Sequence, residues 1–262
     1  MHIVSLHDKS EIERFLRQNA LIHLYELGDL DDFFWQNTTW YALKEAEQIQ
    51  SLLLLYSAID PTVLLAISEN PPALRDLLQS AMHLLPPRFY AHLSGDLSTF
   101  LAKHYRVDSH GLHYKMALAD TSRLEVVDTS RVVSLSGADL DELQALYRVS
   151  YPDNSFDPRM LETGHFYGIR RDNALVSVAG VHVYSPHYKV GVVGNVTTHP
   201  AYRGKGLGTA VCAKLCQELL RTVKYIGLNV KSDNATAIAS YKRLGFEVVG
   251  EYEEALLSIL LS

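Results

Sequence analysis

The sequence predicts an α/β chain in two halves, each a mixed central sheet flanked by helices. Three observations predict it. Strand-like and helix-like segments alternate through both halves. The element order of the second half roughly repeats that of the first, without visible sequence identity. A glycine-rich turn in the second half joins a β-like run to an amphipathic helix. The expected domains are residues 1–120 and 126–262, linked near Ala119–Leu124.

In the first half, His2–Ser5 reads as a strand, Asp8 as the cap of a helix through Asn19, and Leu21–Gly28 as a second helix. Trp40–Lys44, Gln48–Ser57 and Thr62–Ser68 read as strands rich in β-branched and apolar residues. A helix over Pro72–Leu84, a strand over Phe89–Leu93, a helix over Asp96–His104 and strands over Tyr105–Leu118 complete it. The aromatic group Phe33, Phe34, Trp35, Trp40 and Tyr41 reads as core or interface before a pocket lining.

In the second half, Leu140, Leu143, Leu146 and Tyr147 mark a helix over Asp139–Val149, followed by a polar loop, Tyr151–Pro158. Phe166–Arg170 and Ala174–Tyr184 read as a hairpin turned at Asp172-Asn173, and Val190–Thr198 as a third strand. Thr209–Val223 is amphipathic, with Val211, Leu215 and Leu219 on one face. Tyr225–Val230 reads as a buried strand. Asn234–Leu244 reads as a helix capped by Asp233 or Asn234 and stopped by Gly245. Phe246–Val249 and Ala255–Leu261 read as two closing strands, with Glu251, Glu253 and Glu254 in a solvated turn between them.

Composition narrows the function classes. At 47% apolar and 21% charged residues, the 262-residue chain can bury one or two real cores. Its two cysteines, Cys212 and Cys216, exclude a disulfide scaffold, suit a reducing cytoplasm, and read as buried thiols on a core-facing helix. The start MHIVSLHDKSEIERF lacks the pattern of a secretion signal. The most apolar stretch, Ile49 to Ile67, is cut by Asp60-Pro61 into pieces too short to span a bilayer, so no membrane partner is expected. The net charge of −6 falls in residues 1–120, which hold 9 basic against 15 acidic residues; residues 121–262 are balanced. With no basic stripe, nucleic acid is not an expected partner. The scattered histidines form no H-E-x-x-H, and no metal site is expected.

The chemistry-bearing motif is Arg203-Gly204-Lys205-Gly206-Leu207-Gly208. Alternate glycines permit positive φ and close approach of a ligand to the backbone. Successive N–H groups and the positive end of the following helix make an anion site, most naturally for a pyrophosphate. Arg203, Lys205, Lys214, Lys231, Lys242 and Arg243 bias the neighbourhood towards an anionic ligand. The turn is neither the G-x-G-x-x-G dinucleotide fingerprint nor a P-loop. Taken alone, it also fits a strand–helix turn with no ligand.

Residues 190–250 resemble the GCN5-related N-acetyltransferase (GNAT) family. Residues 203–208 fit its R/Q-x-x-G-x-G/A loop, and Thr198-His199-Pro200-Ala201-Tyr202 supplies the strand exit before it. Asn229-Val230-Lys231-Ser232-Asp233-Asn234 and Ala237 through Tyr241 to Gly245-Phe246 match its second signature. The resemblance implies a tandem member with a degenerate first half. It implies acetyl-CoA as co-substrate, an amine acceptor, and direct transfer in a ternary complex without a metal or covalent intermediate. A homodimer is an arrangement it allows. By the same resemblance Val196, Thr197 and Thr198 would pair with the pantetheine arm, residues Arg203 to Thr209 would hold the pyrophosphate, Asn229 and Asn234 would contact the cofactor arm, and Tyr241 would lie near the thioester sulfur.

Chemistry gives Tyr241 a reason. A phenol, ordinarily near pKa 10, can protonate a departing thiolate, while the Thr198 N–H would stabilise the tetrahedral oxyanion. By spacing alone Tyr241 also reads as a packed helix residue, flanked by Ile238 and Leu244. No acid lies in Lys189–Thr198 to serve as base; His182, His199, Asp153 and Asp157 are the substitutes on offer. At the first half's equivalent of the phosphate loop stands Ser68-Glu69-Asn70-Pro71-Pro72, with no glycine, no base and two prolines that delete N–H donors. That half is expected to have lost cofactor binding and to wall the acceptor pocket or form an interface. The rival reading is a catalytically silent acyl-CoA-binding regulatory or scaffold protein.

Overall fold

The computed structural model describes residues 1–154 and 156–260. The chain divides into two compact units. One comprises Met1–Lys115, Lys231–Asp233 and Val249–Ser262; the other comprises Met116–Val230 and Asn234–Val248.

The first unit contains β1 (His2–Leu6), α1 (Lys9–Leu16), α2 (Leu24–Asp29), α3 (Asp32–Trp35), β2 (Thr38–Glu45), β3 (Gln48–Tyr56), β4 (Val63–Ala66), α4 (Pro71–Ala81), β5 (Arg88–Leu93), α5 (Leu97–Leu101) and most of β6 (Tyr105–Leu118). Asp8 caps α1 as expected, accepting from the Ser10 and Glu11 N–H groups. Strands β1 to β4 form an antiparallel meander, and β4 then runs parallel to β5. Leu74, Leu77 and Leu78 of α4 pack with Leu53, Leu64, Phe89, Ala91 and Leu97 in a dry core. Burying each such side chain stabilises by about 1.5–3 kcal/mol. Phe34 and Trp40 of the aromatic group are buried, while Phe33, Trp35 and Tyr41 are half-buried.

The second unit contains α6 (Ser122–Glu125), β7 (Val133–Ser134), α7 (Leu140–Ser150), β8 (Tyr167–Arg171), β9 (Ala174–Ser185), β10 (Val190–Thr198), α8 (Leu207–Leu219), β11 (Tyr225–Lys231) and α9 (Ala235–Arg243). Its strands lie in the order β11-β10-β9-β8-β7, with only β10 and β11 parallel. The β8–β9 hairpin turns at Asp172 (φ 51°) and Asn173 (φ 64°), the left-handed pair that a two-residue turn needs and that Asp and Asn tolerate. Asn234 caps α9 through the Ala237 N–H, and Gly245 ends it at φ 94°.

Three expectations change. The closing strands are one strand, β12 (Phe246–Ile259), whose residues Glu253–Ser258 pair antiparallel with Leu93–Arg88 of β5. The stretch from Val249 therefore joins the first unit rather than the expected domain 126–262, because ladder pairing with β5, not sequence proximity, decides where it packs. Leu261, expected in that strand, and Ser155, within the expected polar loop, lie outside the described residues. Placing Glu251, Glu253 and Glu254 in strand also overturns the solvated turn: Glu253 accepts from Ser98 and Ser109, and Glu254 points into a nearly buried polar network.

That network replaces part of the first unit's core. The Glu254 carboxylate accepts from the hydroxyls of Tyr90 (2.6 Å) and Tyr252 (2.8 Å) and lies 3.4 Å from His92 Nε2 and 3.3 Å from His113 Nε2. Buried Lys115 sits over the rings of Tyr25 and Tyr252. On α2, Glu26 pairs with His23 at 3.2 Å. Burial favours the neutral Lys115, lowering its pKa, while Glu26 and Glu254 oppose that fall.

Candidate functional site

The site is built where β10 and β11 separate. The two strands pair in parallel only over Val190–Val193 and Tyr225–Leu228. Beyond Val193, β10 carries a second irregularity: Gly194 pairs with Gly180 and Thr197 with Val178, so β10 holds one extra residue, a β-bulge. Asn195 sits in the bulge at φ 53°, a conformation Asn adopts more readily than most residues. The Tyr147 hydroxyl of α7 donates to the Asn195 carbonyl at 3.0 Å, and the Thr197 hydroxyl to the Ser150 carbonyl at 3.4 Å, so α7 anchors the bulged strand. Burial pushes the Tyr147 phenol far above its usual pKa, which keeps it a donor. Thr197 and Thr198 thus stay paired with Val178 and Ser177 of β9 on one side, with Val196 in the bulge before them, while the other side runs past the end of the β11 ladder. Asn229, half-buried, lies on β11 just beyond that ladder. Two strands parted in this way leave backbone edges that an extended ligand can join.

The glycine turn follows at once. Gly204 (φ 76°) and Gly206 (φ 77°) are both left-handed, and no side chain caps α8 at Gly206. The first N–H groups of α8, at Leu207, Gly208 and Thr209, have no partner within the helix. Arg203 turns back, its Nε donating to the Thr198 carbonyl (3.1 Å) and Nη2 to the Ser150 carbonyl (3.3 Å). Lys205 lies over the Tyr202 ring at 5.0 Å and reaches the Ala201 carbonyl. Both cations brace the turn from behind while contributing their charge. The Ser177 and Thr198 hydroxyls bond at 2.8 Å, and a Cβ on Gly208 would meet Thr198 Oγ1 at 3.3 Å.

Helix α9 begins after β11 and has no buried residue. Tyr241 is half-buried, with its ring edge-on to Phe246 at 6.0 Å. It is therefore not a core residue, which weakens the purely packed reading. Asn234 spends its Oδ1 on the Ala237 N–H at 3.1 Å.

Residues 137–246 match the sequence model described as "Acetyltransferase (GNAT) family". Residues 137–246 form a GNAT acetyltransferase domain. The family uses acetyl-CoA as co-substrate and comprises acyl-CoA-dependent N-acetyltransferases. The chain is 28% identical over 137 residues to the N-alpha-acetyltransferase RimI of Mycobacterium tuberculosis, covering 50% of this chain and 84% of that protein. It is 33% identical over 105 residues to an uncharacterised protein of Mycobacterium leprae, covering 38% of this chain and spanning only 28% of that relative's length. A tandem GNAT protein from the clavulanic acid biosynthesis pathway shares the fold over 100% of this chain and 99% of its own, with a TM-score of 0.57 at 16% identity.

The base candidates in the GNAT domain sort by their partners. Asp157 caps a 3-10 turn and ion-pairs with Arg159 at 2.6 Å. Asp153 is exposed. His199 Nδ1 accepts from the Ala201 N–H at 3.3 Å, so its ring serves the strand exit. His182 is half-buried on β9 beside the β10 bulge. Cys212 and Cys216 are buried free thiols, with burial pushing Cys212 up to about 12. Among the described residues no group of His, Cys, Asp and Glu could hold a metal, and no helix is long and apolar enough to cross a membrane.

Sequence reasoning did not single out Asn195 or the Tyr147 hydroxyl as parts of the site. The one local signal was an Asn inside a run of β-branched residues and glycines, which marks a left-handed position only once the bulge is known.

Proposed function

We propose that the GNAT domain transfers an acetyl group from acetyl-CoA to the amine of a small molecule or peptide, by direct attack in a ternary complex. The parting of β10 from β11 carries this reading, because it leaves an open backbone edge that leads to an uncapped helix N-terminus. Val196, Thr197 and Thr198 pair with the pantetheine amides along that edge. Arg203, Gly204, Lys205, Gly206, Leu207, Gly208 and Thr209 take the pyrophosphate on main-chain N–H groups. Asn229 and Asn234 face the arm from the other side, Asn234 with the amide nitrogen its capping bond leaves over. Tyr241 protonates the departing thiolate.

The first unit, in this reading, binds no cofactor. All four residues of β4 stay paired with β5, so no edge opens there. Pro71 and Pro72 remove two N–H groups from the start of α4, and Asn70 caps it. The protein works in the cytoplasm.

The absence of a carboxylate from Lys189–Thr198 favours one second reading, an acyl-CoA-binding protein without turnover. Titration calorimetry with acetyl-CoA, followed in the same sample by thiol release across an amine panel, separates the two. One site per chain with amine-dependent thiol release supports the transferase. Binding without release supports the silent protein. No binding removes the assignment of residues 203–209.

A further inference from the structure

Strands β9 and β10 carry, at their bulges, two polar groups with no part in the transfer so far. In β9, Val183 pairs with Val192 and Val181 with Val193, so His182 is an extra residue bulged out of the ladder. Its ring closes over β10 at Gly194. A Cβ there would lie 1.8 Å from His182 Cδ2 and 2.3 Å from Nε2, so only glycine admits the imidazole. The next residue, Asn195, is 2% exposed. Its Nδ2 meets the Met160 sulfur at 3.5 Å, a weak acceptor, and its Oδ1 has no hydrogen-bond partner among the described residues. A donor that reached this oxygen would recover about 1–3 kcal/mol. The His182 ring lies on the same side of the sheet as Phe166, and the Tyr147 bond to Asn195 is to its main-chain carbonyl. Tyr147 of α7 bonds Asn195, and Phe166, linked through Phe156 to Tyr147, packs over Gly180, the partner of Gly194.

We propose that His182 is the general base of the transfer, with Asn195 Oδ1 holding one N–H of the acceptor. This rests on the acyl-CoA reading above. The amine nitrogen attacks the thioester carbonyl carbon and the C–N bond forms. One proton passes from that nitrogen to His182 while the second N–H stays on Asn195. The tetrahedral adduct collapses, the C–S bond breaks, and the thiolate takes the Tyr241 proton. Solvent returns the proton from His182 to the Tyr241 phenolate. The acceptor class is a primary amine, since a secondary amine has no second N–H to leave on Asn195.

Bromoacetyl-CoA tests the placement without knowledge of the acceptor. It carries an electrophilic carbon where the acetyl methyl sits; the imidazole displaces bromide and forms a C–N bond. Peptide mass spectrometry should find the label on His182, suppressed by excess CoA. H182Q should bind acetyl-CoA with unchanged affinity, stay unlabelled, and release thiol from acetyl-CoA, with water as acceptor, about 100-fold more slowly. N195G keeps a residue suited to positive φ, so it should retain the label but release thiol more slowly. Labelling that spares His182 in a protein that binds acetyl-CoA, or wild-type thiol release by H182Q, overturns the proposal. Failure to bind acetyl-CoA at all overturns the underlying reading instead.

Discussion

Replacing His92 with Gln should remove much of the first unit's sensitivity to mild acid. Burial pushes the His92 pKa down; Glu254 offsets part of this and Lys115 pushes further, for a net fall from 6.5 to about 4. In the unfolded chain the ring titrates near 6.5. Between those values the unfolded chain holds a proton that the folded unit refuses. The stabilisation is therefore complete above about pH 6.5 and is lost as pH falls through about 4. The depression is equivalent to about 3 kcal/mol, with a slope approaching about 1.4 kcal/mol per pH unit. Glu26 adds a second loss lower down. Burial alone would raise its pKa, but Lys115 and His23 hold it at about 2, so its contribution is present above 4.5 and fades below that. Asp29 runs the other way: burial and the Glu26 charge raise its pKa, so its carboxyl favours the folded state at low pH and costs stability as pH rises through the folded value. Both tryptophans, Trp35 and Trp40, lie in the first unit, so fluorescence in urea reports its unfolding. The stability of wild type minus that of H92Q should fall by about 3 kcal/mol between about pH 7 and about pH 4. Parallel pH profiles for the two proteins would refute the buried neutral imidazole.

Three further outcomes are expected. Tyr241→Phe should bind acetyl-CoA as wild type does yet release thiol at least about 100-fold more slowly with any amine that turns over; equal rates would remove the acid role. Gly206→Ala puts a side chain at φ 77° in open space, a strain of about 1–2 kcal/mol without a clash, and should weaken acetyl-CoA binding in calorimetry by about tenfold. Gly245→Ala would set a Cβ 2.0 Å from the Asp120 carbonyl oxygen, while the Gly245 carbonyl accepts from the Ala119 and Asp120 N–H groups. The second unit, followed by amide exchange, should lose more than about 2 kcal/mol, and a smaller loss would mean that this junction yields.

Local chemistry made much of the second unit legible. The Asp172-Asn173 turn, the α9 cap (expected at Asp233 or Asn234 and found at Asn234), the Gly245 stop and the span of β10 all follow from single-residue preferences over a few positions. The motif around Gly204 and Gly206 was readable for the same reason, since positive φ at alternate residues is a demand that glycine announces. The fate of residues 249–259 was not readable, because a strand's partner is chosen by ladder pairing across more than 150 residues, which no local pattern encodes. Nor was the environment of Glu254: three glutamates within four residues read as solvent-facing until the alternation of β12 turns one of them toward Tyr90, His92 and His113. The bulges that hold His182 and Asn195 belong to the same class, since a bulge exists only against the register of its neighbour. Sequence by itself determined the glycine turn before α8, the helix caps and the α/β class. Tertiary structure decided which strands part, which charges are buried and which side chains meet, because these depend on contacts between residues distant in the chain.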